Sequence, residues 1–177
     1  MKPSKYVGYA GQLDVMAELS MRGYNVAAPG VDIGDDVLVL NEDTGKIDRV
    51  QVKTARKHTK SSSNKKNRLI YEFLVHKPRI TENLSKAGSD PYFIFAMLSI
   101  GWPKYWTFVI ISKSVLAHLV KENDLGTKSS RPEQIRLSIE IDSVGNISFF
   151  KKRNVKISLN AYKNDWTHWP PIPPYDT

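Results

Sequence analysis

Asp36, Gln51 and Lys53 are the residues of this chain whose types and spacing can do chemistry together. The run Asp48 to His58 reads DRVQVKTARKH, with Val50 and Val52 alternating with Gln51 and Lys53. A strand here buries the valines on one side and presents the amide and the ammonium together on the other. Upstream, Asp35 and Asp36 lead into the apolar run Val37 to Leu40, and EDTGK between the two runs has the composition of a hairpin turn. Antiparallel pairing of Val37 to Leu40 with Ile47 to Thr54 therefore returns a carboxylate to the neighbourhood of the Gln–Lys pair. A divalent cation suits such a place, held by Asp36, the side-chain oxygen of Gln51 and the backbone carbonyl of Val52, with waters and a phosphate oxygen filling the shell. Lys53 then orients or helps deprotonate an attacking water and offsets charge building on the phosphorus centre. Phosphodiester hydrolysis needs both functions, because the substrate repels hydroxide and its leaving group is poor.

The charge pattern is consistent with a polyanionic substrate. The formal charge is +8, and Lys53, Arg56, Lys57, Lys60, Lys65, Lys66 and Arg68 follow one another with no acidic residue among them. Nucleic acid is the commonest partner for such a field, and the alternative is a solvated basic loop. The absence of cysteine removes disulfides, thiolate nucleophiles and cysteine-rich zinc sites, and the four histidines have no ligand-like spacing. No apolar run is long enough to cross a bilayer, and the N-terminus lacks the apolar core of a signal peptide, so a cytoplasmic protein without a membrane association is expected. GYAGQ lacks the lysine and the preceding strand of a phosphate-binding loop.

The elements that must position these groups fit one domain in 177 residues, expected over residues 1–160, with a proline- and tryptophan-rich tail over 161–177 packed on the domain or on a partner. Leu13, Met16, Ala17 and Met21 recur at helical spacing before Gly23, which predicts a helix starting near Ser4 or Gly11 and running to Arg22. LIYEFLVH reads as a strand, KPRITENLSKAGSD as a turn or short helix, and PYFIFAMLSI and YWTFVIIS as two central strands. SKSVLAHLVKEND follows as a helix capped by Ser112 or Ser114, and QIRLSIEID, NISFFKK and VKISL as an antiparallel ribbon with a turn at Gly145 and Asn146. Trp166 and Trp169 are candidates for base stacking or for packing back onto the domain or across a dimer interface.

GVDIGDDVLVL followed by RVQVKTA resembles the core of the PD-(D/E)XK nuclease superfamily, well over Gly11 to Ala55 and loosely over Tyr71 to Leu119. The resemblance implies an α/β, restriction-endonuclease-like or Holliday-junction-resolvase-like core: a central mixed β-sheet flanked by helices, here with a C-terminal β-ribbon added. It implies a Mg²⁺- or Mn²⁺-dependent endonuclease acting on DNA, in the Q-x-K variant of the motif. Asp36 then matches the motif aspartate, Gln51 the acidic position and Lys53 the lysine. Asp32 and Asp35 compete with Asp36, which is preferred because it immediately precedes VLVL. The helix acid that such relatives carry falls at Gln12, with Asp14 and Glu18 as substitutes on another face; Glu18 is placed in the catalytic set. Arg56, Lys57, Lys60, Lys65, Lys66 and Arg68 are the expected nucleic-acid contacts, and DNA and a second copy of the chain the expected partners. Amides at Gln12 and Gln51 leave a second expectation open: a nuclease-fold protein with weak or no catalysis that binds nucleic acid or another protein.

Overall fold

The computed structural model describes residues 3–31, 34–42, 44–56, 68–81, 91–99, 105–150 and 156–166. Helix α1 spans Pro3–Met21. Proline suits a first helical turn because the N–H it lacks has no intrahelical partner there. The helix closes on Gly23, whose φ of +85° allows Tyr24 N–H to reach back to the Leu19 carbonyl at 3.1 Å and Gly23 N–H to that of Ser20 at 3.0 Å. Its buried stripe is Val7, Gly11, Val15 and Leu19, spaced four residues apart. The apolar residues that mark the helix in the sequence are not its buried ones: Leu13 and Met21 are 47% and 71% exposed, and Met16 only flanks the core. The reason is Gly11, where a Cβ would overlap the Thr54 side chain; a glycine carries no apolar signal but lets the helix axis come close.

The helix lies on a mixed sheet of β1 (Asn25–Ala27), β2 (Val37–Leu40), β3 (Ile47–Arg56), β5 (Tyr92–Leu98) and β6 (Trp106–Ser112), in the order β1-β2-β3-β5-β6. β3 and β5 run parallel and the other neighbours antiparallel. Val37, Val39, Val50, Val52, Ile94, Ala96, Phe108 and Ile110 face α1 and pack with Val15 and Leu19. Full burial of each such aliphatic side chain contributes about 1.5–3 kcal/mol. After β6, α3 (Lys113–Glu122) starts from Ser112, whose hydroxyl accepts the Val115 N–H at 3.3 Å as the sequence predicts.

The opposite face of this sheet is covered by a second one. β4 (Leu69–His76), β8 (Gln134–Ile141), β9 (Ile147–Phe150) and β10 (Lys156–Ser158) form it in the order β10-β9-β8-β4, with β7 (Thr127–Lys128) also on β8. The expected C-terminal ribbon is thus part of a full layer, and β4 belongs to that layer, pairing along its whole length with β8. Phe95 bridges the layers, its ring centroid 4.9 Å from that of Phe73 and 6.3 Å from that of Phe149. A short α2 (Lys77–Thr81) follows β4. A 3₁₀ turn (Asn160–Tyr162) and the residues after it return to β6, where Asn164 exchanges two 2.8 Å hydrogen bonds with the Phe108 backbone. Trp166 is buried against Phe108, the packing alternative to base stacking, whereas Trp169 lies outside the described residues. Among the described residues no helix is long and apolar enough to cross a membrane.

Candidate functional site

The β2–β3 ladder ends at the pair Val37 and Val50 and is extended one step by Asp36 N–H, which donates to the Val50 carbonyl at 2.8 Å. Continuing that register sets Asp36 across from Gln51, with half-buried Lys53 two residues further on the same face. Past this point β3 runs on without β2. Val52 N–H, which there loses a strand partner, donates instead to Asp36 Oδ2 at 2.8 Å. The Val52 carbonyl projects toward the same edge as its N–H, into the space where β2 has ended.

The segment that delivers Asp36 is tied from two sides by glutamines. Gln12 of α1 donates from Nε2 to the Asp36 carbonyl at 2.6 Å, and Gln51 donates from Nε2 to the Gly34 carbonyl at 2.8 Å. The second bond fixes which way the amide faces and leaves Gln51 Oε1 buried with no hydrogen-bond partner among the described residues. An orphaned buried acceptor carries a desolvation penalty of about 1–3 kcal/mol, which a cation or a water at that position relieves. Asp36, Gln51 Oε1 and the Val52 carbonyl are all hard oxygen donors, the set that Mg²⁺ or Mn²⁺ takes. No group of three or more His, Cys, Asp or Glu able to hold a metal occurs among the described residues, and the donors named here are one carboxylate and two neutral oxygens.

Gly34 has φ +88°, and a Cβ there would overlap the Arg79 guanidinium. A residue absent from the expected site thus stands against it: α2, which follows β4 of the second layer, lays Arg79 on the turn that precedes Asp36. No local pattern in KPRIT signals this, because the contact is made across the fold. Asp35, almost fully buried, lies 3.8 Å from Arg49 and serves that pairing.

The helix acids stand elsewhere. Gln12 and Asp14 are about 200° apart around the helix, on opposite flanks of its buried stripe. Gln12 faces β2, whereas Asp14 hydrogen-bonds Trp106 of β6; burial pushes its carboxyl pKa up, the Trp106 bond opposes this and the Glu18 charge adds to it. Glu18 pairs with Arg22 at 2.5 Å, and the Arg22 guanidinium lies 4.9 Å over the Trp166 ring, again on the β6 flank. Of the three helix candidates, Gln12 hydrogen-bonds the Asp36 backbone, while Glu18 is engaged with Arg22. Arg56 is exposed at the end of β3, and Arg68 pairs with Glu140 at 3.3 Å. Lys57, Lys60, Lys65 and Lys66 lie outside the described residues, as does Asp32.

No family model and no curated protein matches the chain. Among solved structures, that of a bacterial homing endonuclease, I-Ssp6803I, is similar over 93% of this chain and 90% of that one, with 16% sequence identity and a TM-score of 0.48.

Proposed function

We propose that the protein is a metal-dependent endonuclease that hydrolyses DNA phosphodiester bonds, with the Q-x-K arrangement of the PD-(D/E)XK superfamily. The observation that carries this reading is the uncovered end of β3, where Asp36, the unpartnered Gln51 Oε1 and Lys53 share one face. Mg²⁺ or Mn²⁺, when bound by Asp36, Gln51 and the Val52 carbonyl, supplies charge neutralisation at a phosphate oxygen and a more acidic water. Lys53 orients the attacking water and offsets negative charge as it builds on the phosphate. Arg79 adds a second cation near the Gly34 turn, suited to a non-bridging phosphate oxygen. Val52 N–H and Gln12 keep Asp36 in place while charge moves. Arg56 and the basic residues that follow it in sequence track the neighbouring phosphates. With one carboxylate in the set, Asp36, Gln51 and the Val52 carbonyl would hold such an ion only weakly without a phosphate beside them.

The test is cleavage of linear, nicked, flapped and four-way DNA with Mg²⁺ or Mn²⁺, beside Asp36→Asn and Lys53→Met. Loss of cleavage in both variants with DNA affinity kept supports the reading; undiminished cleavage in both rules out this site. The amides at Gln12 and Gln51 favour one second reading, a nucleic-acid-binding platform without catalysis. It predicts salt-dependent DNA binding, no cleavage of any substrate, and no effect of either metal on affinity.

A further inference from the structure

Helix α1 has two apolar faces, and the fold uses one of them. Opposite the buried stripe of Val7, Gly11, Val15 and Leu19 run Tyr6, Tyr9, Leu13 and Ala17 at spacings of three and four residues, with Met21 at the margin. Tyr6, Tyr9, Leu13 and Met21 are 68%, 60%, 47% and 71% exposed. A helix that is apolar all round is ordinarily buried all round. These include the residues whose periodicity marks the helix in the sequence, so the strongest apolar signal of the segment is spent on no contact among the described residues.

We infer that a second copy of the chain covers this face, with the two α1 helices packed antiparallel across a two-fold axis near Leu13. The sequence of the stripe is complementary to itself under that operation. An axis at residue 13 sets Leu13 against its own copy, Tyr9 against Ala17, Tyr6 against Ser20 and Met16 against Ala10, so the tyrosines and Met16 each meet a small side chain. Leu13 on Leu13 fixes the register, and that register pairs both tyrosines with small residues. The area agrees: at about 150–250 Å² for an aromatic side chain, the four exposed residues offer about 500 Å² per copy. The pair then removes about 1,000 Å², at the lower edge of a specific interface, which makes the dimer reversible and concentration-dependent. The face lies on the side of α1 away from the sheet, so pairing leaves the end of β3 open in both copies. The inference stands independently of the nuclease proposal.

Because the chain has no cysteine, one introduced thiol can form a disulfide only with another copy. In the full-length protein, Leu13→Cys is compared with Val144→Cys, which sits at an 80% exposed position in the β8–β9 turn. Facing residues at the axis come within disulfide reach, so L13C is expected to cross-link about a hundredfold faster than V144C at micromolar protein, through the local concentration that the interface creates. Sedimentation of the unmodified protein should show a monomer–dimer equilibrium, and Leu13→Glu, which sets two carboxylates face to face, should yield monomer with unchanged circular dichroism and melting temperature. A wild-type protein that sediments only as monomer, L13C cross-linking no faster than V144C, or an L13E protein that remains dimeric each overturns the inference.

Discussion

Asp36 and Glu140 are both carboxylates drawn into the protein, and different groups hold them there. Glu140 on β8 is 1% exposed, and its Oε1 receives Lys156 Nζ at 2.6 Å and Arg68 Nε at 3.3 Å, while Oε2 is buried without a partner. Two cations of the protein itself meet that carboxylate. Asp36 Oδ2 receives the backbone N–H of Val52, and Gln51 Oε1 is buried with no hydrogen-bond partner among the described residues. Burial of an acid is thus no mark of function by itself: Glu140 is held by two cationic side chains, whereas Asp36 is tied to the end of a strand pair through a backbone N–H.

The sharpest way to break the comparison is to exchange the readouts. Asp36→Asn and Lys53→Met should lower kcat by about 10²–10⁴ with little change in melting temperature, while Glu140→Gln leaves kcat intact; a fall in kcat for E140Q would merge the two sites. Next in size is the loss of both cations around Glu140. The double variant Arg68→Met with Lys156→Met strands a buried carboxylate, and urea denaturation should show about 3–5 kcal/mol less stability. Adding Glu140→Leu should restore most of it, since Arg68 and Lys156 are each about a third exposed and Glu140 is not. A stable double variant would show that the charge is met in some other way.

A smaller effect tests the scaffold between the two. Gly11→Ala brings a Cβ onto the Thr54 side chain and should reduce stability by about 1–3 kcal/mol. Thr54→Ala in the same chain should recover most of that loss, and no recovery would point to helix strain elsewhere. The smallest effect belongs to Asp14. Its folded pKa is raised, by burial first, so the native state holds this proton more tightly than the unfolded chain does. The stability difference is absent at pH values below the unfolded aspartate pKa, and a penalty grows as pH rises through the folded one. Asp14→Asn should therefore raise the melting temperature slightly at neutral pH and not at all in strong acid; an equal shift at both would remove ionisation as its cause.

The hairpin of β2 and β3 was legible because its signals are local: valines at alternate positions, a turn at Gly45 with φ +65°, and an acid at the entry. From these the shared face of Asp36, Gln51 and Lys53 follows. The inward face of α1 was not legible, since its centre is a glycine whose role depends on Thr54, and since the more conspicuous apolar residues point outward. β4 could not be assigned to a layer, because an apolar strand reads alike in either sheet and its partner β8 lies far along the chain. Arg79 and the flank taken by Glu18 were hidden for the same reason. Both depend on which elements meet, on Gly34 in one case and on Trp106 and Trp166 in the other.

β3 and β5 form the parallel pair of the central sheet, and the chain between them leaves that sheet, builds β4 and α2 in the other layer and returns. A crossover of this kind closes a long loop before its contacts repay the lost entropy, so it belongs to the slow part of folding, whereas the β2–β3 hairpin closes over a short turn and belongs to the fast part. The acid, amide and lysine consequently meet early, and Arg79 reaches the Gly34 turn only when the crossover shuts. In pulsed hydrogen exchange the amide of Asp36 should be protected before that of Ile94, and simultaneous protection would mean that the two layers nucleate as one. A chain caught between those events holds the strand pair without the Arg79 contact, which makes that contact a report on closure of the whole molecule.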